Sequence, residues 1–557
     1  MNRILRRTIG ITLLTLLTTT TLMAQPAWVK KATKSVFTLK TFAADGSLIA
    51  SSNGFFTGTN GEAISNFTPF KGASRAVVID AQGKELEVTG ILGANDMYDV
   101  VRFRVNGKTQ PLIISATTAP VGSQVWLLPY HEQKNLRNGL VRKAEIFQDD
   151  YAYYTLALTM TDNLVSCPLL NEAGEVIGMM QQPAAPGDTL SYAVSARFAD
   201  SLKVNGLSLK DPALLLTNIK KELPHELKEA TLMLFLAASQ TDSASYVALI
   251  NDFIRQFPTA PDGYIYRAQQ KSADGDFTGA EKDMEQAIKV SEKKDDAYYN
   301  YARLIYNKEI YQSQQPYANW TLDKALTLIR EAYKISPVLS YRQMEGNILY
   351  AQKRYQEACD LFIELARESN NAELWFSASS CKLQLNDTTA RLALLDSTMN
   401  TFSKPYLKEA AVYLWTRAEA RRDAGKYREA VSDMNEYEEL MKASINDNFY
   451  YIRHQTEIQG RLYQQALNDI NRAIQINPQE TLYHAEKASL EIRVGRYDDA
   501  IATARECIDI NADNSDGWLF LGLAQCLKGD KQEGIRNLQK AQDLGDPQAA
   551  ALIERYQ

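Results

Sequence analysis

Ser166 and Cys167 stand side by side in Asn-Leu-Val-Ser-Cys-Pro-Leu-Leu-Asn-Glu-Ala-Gly-Glu-Val-Ile-Gly-Met, residues 163–179. A hydroxyl or thiol becomes a covalent nucleophile when a base takes its proton and a third group orients that base. Cysteine is the stronger intrinsic nucleophile of the two. His131 is the only imidazole among residues 27–205, and its setting, Tyr-His-Glu-Gln, reads as a surface loop. The second half of the stretch reads strand, tight turn, strand. Pro168-Leu169-Leu170 is a short apolar run, Asn171, Ala173 and Gly174 supply turn chemistry, and Val176-Ile177 resume the apolar pattern.

The elements around that stretch are short apolar runs separated by Gly, Asn and Asp turns. They fall near residues 35–41, 54–57, 63–66, 76–79, 86–92, 100–105, 125–128, 153–158, 176–179 and 191–194. So many short strands at regular spacing predict a barrel or sandwich.

Four motifs in order sharpen this expectation. They are Asn53-Gly54-Phe55-Phe56-Thr57; Gly61-Glu62-Ala63-Ile64-Ser65-Asn66-Phe67-Thr68-Pro69-Phe70-Lys71-Gly72-Ala73; Asn95 to Phe103; and the stretch at 163–179. Ser191-Tyr192-Ala193-Val194 then closes the series. Together they resemble the catalytic domain of trypsin-like serine proteases, the periplasmic heat-shock proteases in particular. The resemblance implies an all-β double barrel over residues 27–205. It places the general base at Thr68, the orienting carboxylate at Asp99 and the nucleophile at Val165. Threonine is no base near neutral pH and valine has no nucleophilic atom, so two of the three triad functions are missing. Loss of either the serine or the histidine alone costs about 10⁶ in turnover in subtilisin. The resemblance therefore implies a degenerate triad and no catalytic residue. The alternative is a shifted nucleophile, Ser166 or Cys167, in an active trypsin-like endopeptidase. These two residues replace the paired glycines that let a substrate backbone approach.

Beyond a connection at residues 206–226, the hydrophobic period becomes helical and stays so through 227–557. Gly/Lys/Arg-x-Tyr/Phe followed by a small residue recurs about every 34 residues, as in Arg354-Tyr355-Gln356-Glu357-Ala358 and Arg496-Tyr497-Asp498-Asp499-Ala500. The pattern resembles the tetratricopeptide repeat (TPR), which implies an all-α solenoid. Small residues opening the second helix of each unit fall at Ala248, Ala280, Ala325, Ala358, Ala390, Ala430, Ala466, Ala500 and Gly534, giving about nine repeats. An insertion rich in Tyr, Gln and Pro, residues 308–320, reads as a lengthened helix pair or a binding loop.

Solenoids of this kind hold extended peptides or partner helices on the face lined by their first helices. Helical spacing places Tyr299, Arg303 and Tyr306 on that face, then Gln343, Asn347 and Tyr350, then Trp375 and Lys382, then Trp415, Glu419 and Arg422. Tyr, Trp and Arg are common interface anchors; inter-repeat packing is the competing use of the same side chains. The expected partners are proteins or peptides.

Composition narrows the function classes. The formal net charge is −6, which argues against nucleic acid as partner. Arg3, Arg6 and Arg7, the apolar run Ile9–Leu17 and Leu22-Met23-Ala24 read as a signal peptide, residues 1–24, with no transmembrane segment after cleavage. Export to the periplasm or envelope of a Gram-negative bacterium is the expectation. No CxxC and no His/Cys cluster offers a metal site, and no cofactor is implied. Cys359/Cys381 and Cys507/Cys526 could pair as disulfides; buried small-residue packing is the competing reading.

Overall fold

The computed structural model describes residues 26–130, 136–148, 151–183 and 189–557. The leader at 1–24 and His131 lie outside the described residues. Clustering of the backbone divides the chain into two compact units, Met1–Gln270 and Lys271–Gln557.

The first unit holds two closed antiparallel barrels. β1 (Val36–Phe42), β2 (Leu48–Phe56), β3 (Glu62–Ser65), β4 (Arg75–Ile79), β5 (Glu85–Asn95) and β6 (Val100–Val105) close in the order β1-β2-β3-β6-β5-β4. β7 (Gln124–Leu127), β8 (Arg137–Phe147), β9 (Tyr151–Ala157), β10 (Pro168–Leu170), β11 (Val176–Met180) and β12 (Ser191–Ser195) repeat the same arrangement. Closure leaves neither sheet an open edge. Each barrel has its own core: Phe37, Phe56, Phe70 and Phe103 in the first, Tyr154, Leu156, Leu169 and Met180 in the second. A third cluster joins them through Phe55, Ile64, Val100, Leu170, Met179 and Val194. Gly54 has a steric reason: a Cβ there would stand 2.5 Å from the Ile64 carbonyl oxygen and from the Phe37 ring.

Residues 206–226 are no free linker. Leu214 and Ile219 enter the first barrel's core. The Ile91 N–H donates to the Lys220 carbonyl (2.8 Å) and the Glu222 N–H to the Ile91 carbonyl (2.9 Å), so the segment lies along β5. Leu223 then packs with Met233, Ile250 and Phe253 of the first helix pair, Leu227–Ala237 and Ser243–Gln256.

Eight further helix pairs follow among the described residues, from Pro261–Ala273 with Phe277–Val290 to Ser515–Lys528 with Lys531–Asp543, and then Ala549–Tyr556. A residue with positive φ turns the chain between the helices of seven pairs: Gly275, Lys353, Asn386, Gly425, Arg461, Gly495 and Gly529. This is the physical content of the Gly/Lys/Arg-x-Tyr/Phe signature. The fourth residue of the second helix is Ala280, Ala325, Ala358, Ala430, Ala466, Ala500 or Gly534, all buried. Two expectations are corrected here. Ala248 is exposed and Ala390 half-buried; the fourth residues of those helices are Tyr246 and Arg391, so larger side chains occupy the contact.

The insertion is both a lengthened helix and a packed loop. Asp295–Tyr311 runs 17 residues. The loop after it returns Trp320, 1% exposed, against Phe277, Tyr301 and Tyr317. Glu281 accepts hydrogen bonds from Tyr301, Tyr317, Asn319 and Lys324. Burial opposes its charge, but these donors hold its carboxyl down at about 2.

Candidate functional site

Where β3 ends, Asn66 and Phe67 lead into the short turn Thr68–Phe70. Asp99 sits between β5 and β6 with φ 49°. The fold brings these positions together: the Thr68 N–H (2.6 Å) and hydroxyl (2.8 Å) both donate to Asp99 Oδ1. The carboxylate therefore orients a hydroxyl and a backbone amide. That pair can fix a loop; it cannot relay a proton from a nucleophile.

Across the junction, the turn Asp162–Leu164 delivers Val165, 7% exposed and packed in the second barrel's core. Ser166 is 0% exposed and adopts φ 64°. It keeps the left-handed backbone that glycine normally supplies and adds a hydroxyl. That hydroxyl donates to Asn66 Oδ1 (2.8 Å) and accepts from the Asn66 N–H (3.0 Å). Asn66 Oδ1 also takes the Ser52 hydroxyl at 2.6 Å. Asn53 Nδ2 donates to the carbonyls of Asn163 (2.9 Å) and Val165 (3.0 Å). The barrels are thus stitched together around Ser166. Cys167 is fully buried, and burial pushes its thiol up to about 12, the reverse of what activates a thiol. Sequence reasoning missed Asn53, Asn66 and Ser52. Their signal was present: two amide or hydroxyl side chains on β2 beside a glycine and a third just after β3.

In the second unit, most groove candidates are half-buried. Tyr299 stacks on Tyr341 with centroids 5.1 Å apart, and Arg303 lies 5.6 Å over the Tyr299 ring. Burial raises the phenols of Tyr306 and Tyr350 above their ordinary range, and Tyr350 meets Tyr355 edge-on at 5.2 Å. Gln343, Asn347 and Trp375 are half-buried, and Lys382 donates to Gln356 at 2.9 Å. Trp415 packs on Tyr437 (5.2 Å) and on Phe449 of the next pair (5.9 Å). Tyr299 and Trp415 therefore serve inter-repeat packing.

Arg422 has a different setting. It lines a cleft of about 490 Å³ with Gln455, Gln459, Glu486, Ser489 and Arg493. These residues come from the first helices of three successive pairs, Ala411–Asp423, Asp447–Gln459 and Thr481–Arg493. They extend the expected face by two repeats. The cleft is mostly polar, with two guanidinium groups, two amides and one carboxylate beside Ile458 and Leu490.

Two of the same helices carry buried ion pairs. Arg453 pairs with Asp469 through two hydrogen bonds (2.6 and 2.9 Å) and reaches Glu438 at 2.7 Å. Arg417 and Arg421 hold Asp433 in the same way. Glu457 is buried with Oε2 unpartnered; burial, then the nearby Asp469 charge, push its carboxyl up to about 8. His454 occupies a helix position filled elsewhere by Ala268, Ala302, Gly346, Ser379, Ala418, Ala488 or Gly522. Its Nδ1 contacts the Ala466 carbonyl at 2.8 Å, and burial lowers its pKa. All five cysteines are free buried thiols, so no disulfide joins Cys359 to Cys381 or Cys507 to Cys526. Among the described residues no His/Cys/Asp/Glu group could hold a metal ion, and no helix is long and apolar enough to cross a membrane.

A family model described as tetratricopeptide repeat matches residues 485–550. Superkiller complex protein 3 of Mus musculus is 22% identical over 292 residues, which is 50% of this chain and 18% of that protein. Small glutamine-rich tetratricopeptide repeat-containing protein 2 of Saccharomyces cerevisiae is 28% identical over 96 residues, 17% of this chain and 28% of that one. The chain thus spans less than a third of the curated relatives it matches. Among solved structures, the Rv3671c protease from M. tuberculosis in its active form shares 19% identity with a TM-score of 0.28, covering 32% of this chain and 82% of that one.

Proposed function

We propose that this chain is an exported, non-catalytic pseudoprotease–TPR scaffold that binds protein or peptide partners in the cell envelope. One observation carries the reading. At the barrel junction the positions that a trypsin-like triad would use hold a Thr68–Asp99 pair and a buried valine, while Ser166 and Cys167 are sealed into packing. A site with no exposed nucleophile and no base cannot split a peptide bond. The protein-binding surface in this reading is the first-helix face, extended by the polar cleft around Arg422 and Arg493. Export rests on the basic, apolar and small-residue order of residues 1–24.

The test uses the mature chain with casein and a fluorogenic peptide library, alongside serine- and thiol-directed probes. No turnover and no labelling are expected. Hydrolysis abolished by Ser166→Ala or Cys167→Ala would overturn the proposal in favour of a peptidase with a shifted nucleophile. Envelope placement is checked by fractionating cells with and without residues 1–24; a cytoplasmic full-length product would sink it.

A further inference from the structure

A second recess lies wholly inside the first unit and is lined by neither Thr68 nor Asp99. It encloses about 270 Å³ between β6, Lys203-Val204 and the entry to the helix Leu227–Ala237. Leu92, Val204, Leu223 and Pro224 give it an apolar lining. Two arginines of β6, Arg102 and Arg104, face it two residues apart, as side chains on one face of a strand do.

These arginines are treated very differently. Arg104 is held by Glu62 at 2.6 Å and Glu222 at 2.7 Å. Arg102 donates once, from Nη1 to the Leu202 carbonyl at 3.1 Å, and its buried Nε has no partner. No carboxylate forms a direct ion pair with it among the described residues; burial lowers its pKa, and the nearby charges of Asp200, Glu62 and Glu222 offset that only in part. A partly desolvated guanidinium that no carboxylate hydrogen-bonds gains from an anion placed against it. Lys203, at the rim, also has no partner among the described residues. The acidic lining is mostly committed: Glu62 to Arg104, and Glu229 to the Gly206 N–H at 2.7 Å. Glu226 alone is left, exposed at the mouth.

We infer that this recess binds a small carboxylate with a short apolar chain, the carboxylate meeting Arg102 and Lys203 and the chain lying against Leu92, Leu223 and Pro224. Arginine is suited to planar carboxylates, and the volume lies just below the usual range of about 300–1,000 Å³ for ligand pockets. This goes beyond the scaffold reading and does not depend on it.

Hexanoate is the probe, titrated into the full chain by calorimetry at constant ionic strength, with hexanamide and inorganic phosphate as controls. Hexanoate should bind; hexanamide and phosphate should bind at least tenfold more weakly. Arg102→Gln should weaken hexanoate at least tenfold and Lys203→Ala about threefold. Glu226→Gln, an exposed change that leaves the fold alone, should tighten it by removing repulsion. Equal binding of hexanamide would overturn the carboxylate, equal binding of phosphate would overturn the apolar contribution, and no binding would overturn the site. Affinity unchanged in both Lys203→Ala and Glu226→Gln would place the ligand elsewhere and overturn the inference even if Arg102→Gln fails to fold.

Discussion

Ser166 shows how one residue serves two opposed demands. Its φ of 64° costs about 1–2 kcal/mol in a residue with a Cβ, and Ser166→Gly would recover that. The same change removes two buried hydrogen bonds to Asn66 and leaves its N–H unsatisfied, together about 2–4 kcal/mol, while Oδ1 keeps the Ser52 hydroxyl. The second effect wins, so Ser166→Gly should destabilise the barrels by about 1–3 kcal/mol, measured by urea unfolding. A stabilised variant would mean that the hydroxyl is idle. Glu457 makes a pH prediction. Its carboxyl titrates near 4.5 when unfolded and about 8 when folded. Between those values the folded state keeps a proton that the unfolded state has released, so stability falls as pH rises. Burial of neutral His454 acts the other way below its ordinary value of 6.5, so the slope is best read from pH 6.5 to 8.5. Glu457→Gln should flatten it and stabilise the protein at pH 8.5 by on the order of 2 kcal/mol.

At the scale of elements, the helix pairs were legible because two local requirements leave marks in sequence. The tight turn needs a left-handed residue, and close helix approach needs a small one. Lys353 (φ 61°) and Arg461 (φ 58°) meet the first requirement with strain, and both are exposed. Lys353→Gly and Arg461→Gly should each raise stability by up to about 1 kcal/mol, read as a shift in thermal midpoint; a loss in both would show that their side chains matter more than their backbone. Ala248 and Ala390 were misplaced by the same logic. An alanine in the right stretch looks like the contact residue, but helix phase is set by the turn, which seats Tyr246 and Arg391 instead. Trp320 could not be placed from its own neighbourhood, since its partners Phe277 and Tyr301 lie on two preceding helices. Trp320→Ala should cost about 3–5 kcal/mol.

At the scale of the whole molecule, the scaffold reading makes the polar cleft the place where partner binding is won or lost. The double variant Arg422→Glu/Arg493→Glu should abolish capture of envelope partners while leaving the thermal midpoint within about 2 °C, because both groups line an open cleft. Retained capture would move the binding face elsewhere. Sequence alone determined the class of each part: strand period, turn residues and motif order gave the barrels, and a recurring turn-plus-small-residue signature gave the solenoid. Side-chain identity alone also says that a threonine is no base near neutral pH and a valine no nucleophile, which is what the proposed non-catalytic reading takes from Thr68 and Val165. Tertiary structure decided the rest. Only folding brings Asn53 and Asn66 across to residues 163–166, a hundred or more positions away in the chain, and thereby seals Ser166 and Cys167. Only the stacking of successive helices separates Trp415, spent on packing, from Arg422, left facing a cleft. Burial and long-range partners are properties of the packed chain, and no local pattern of residue types encodes them.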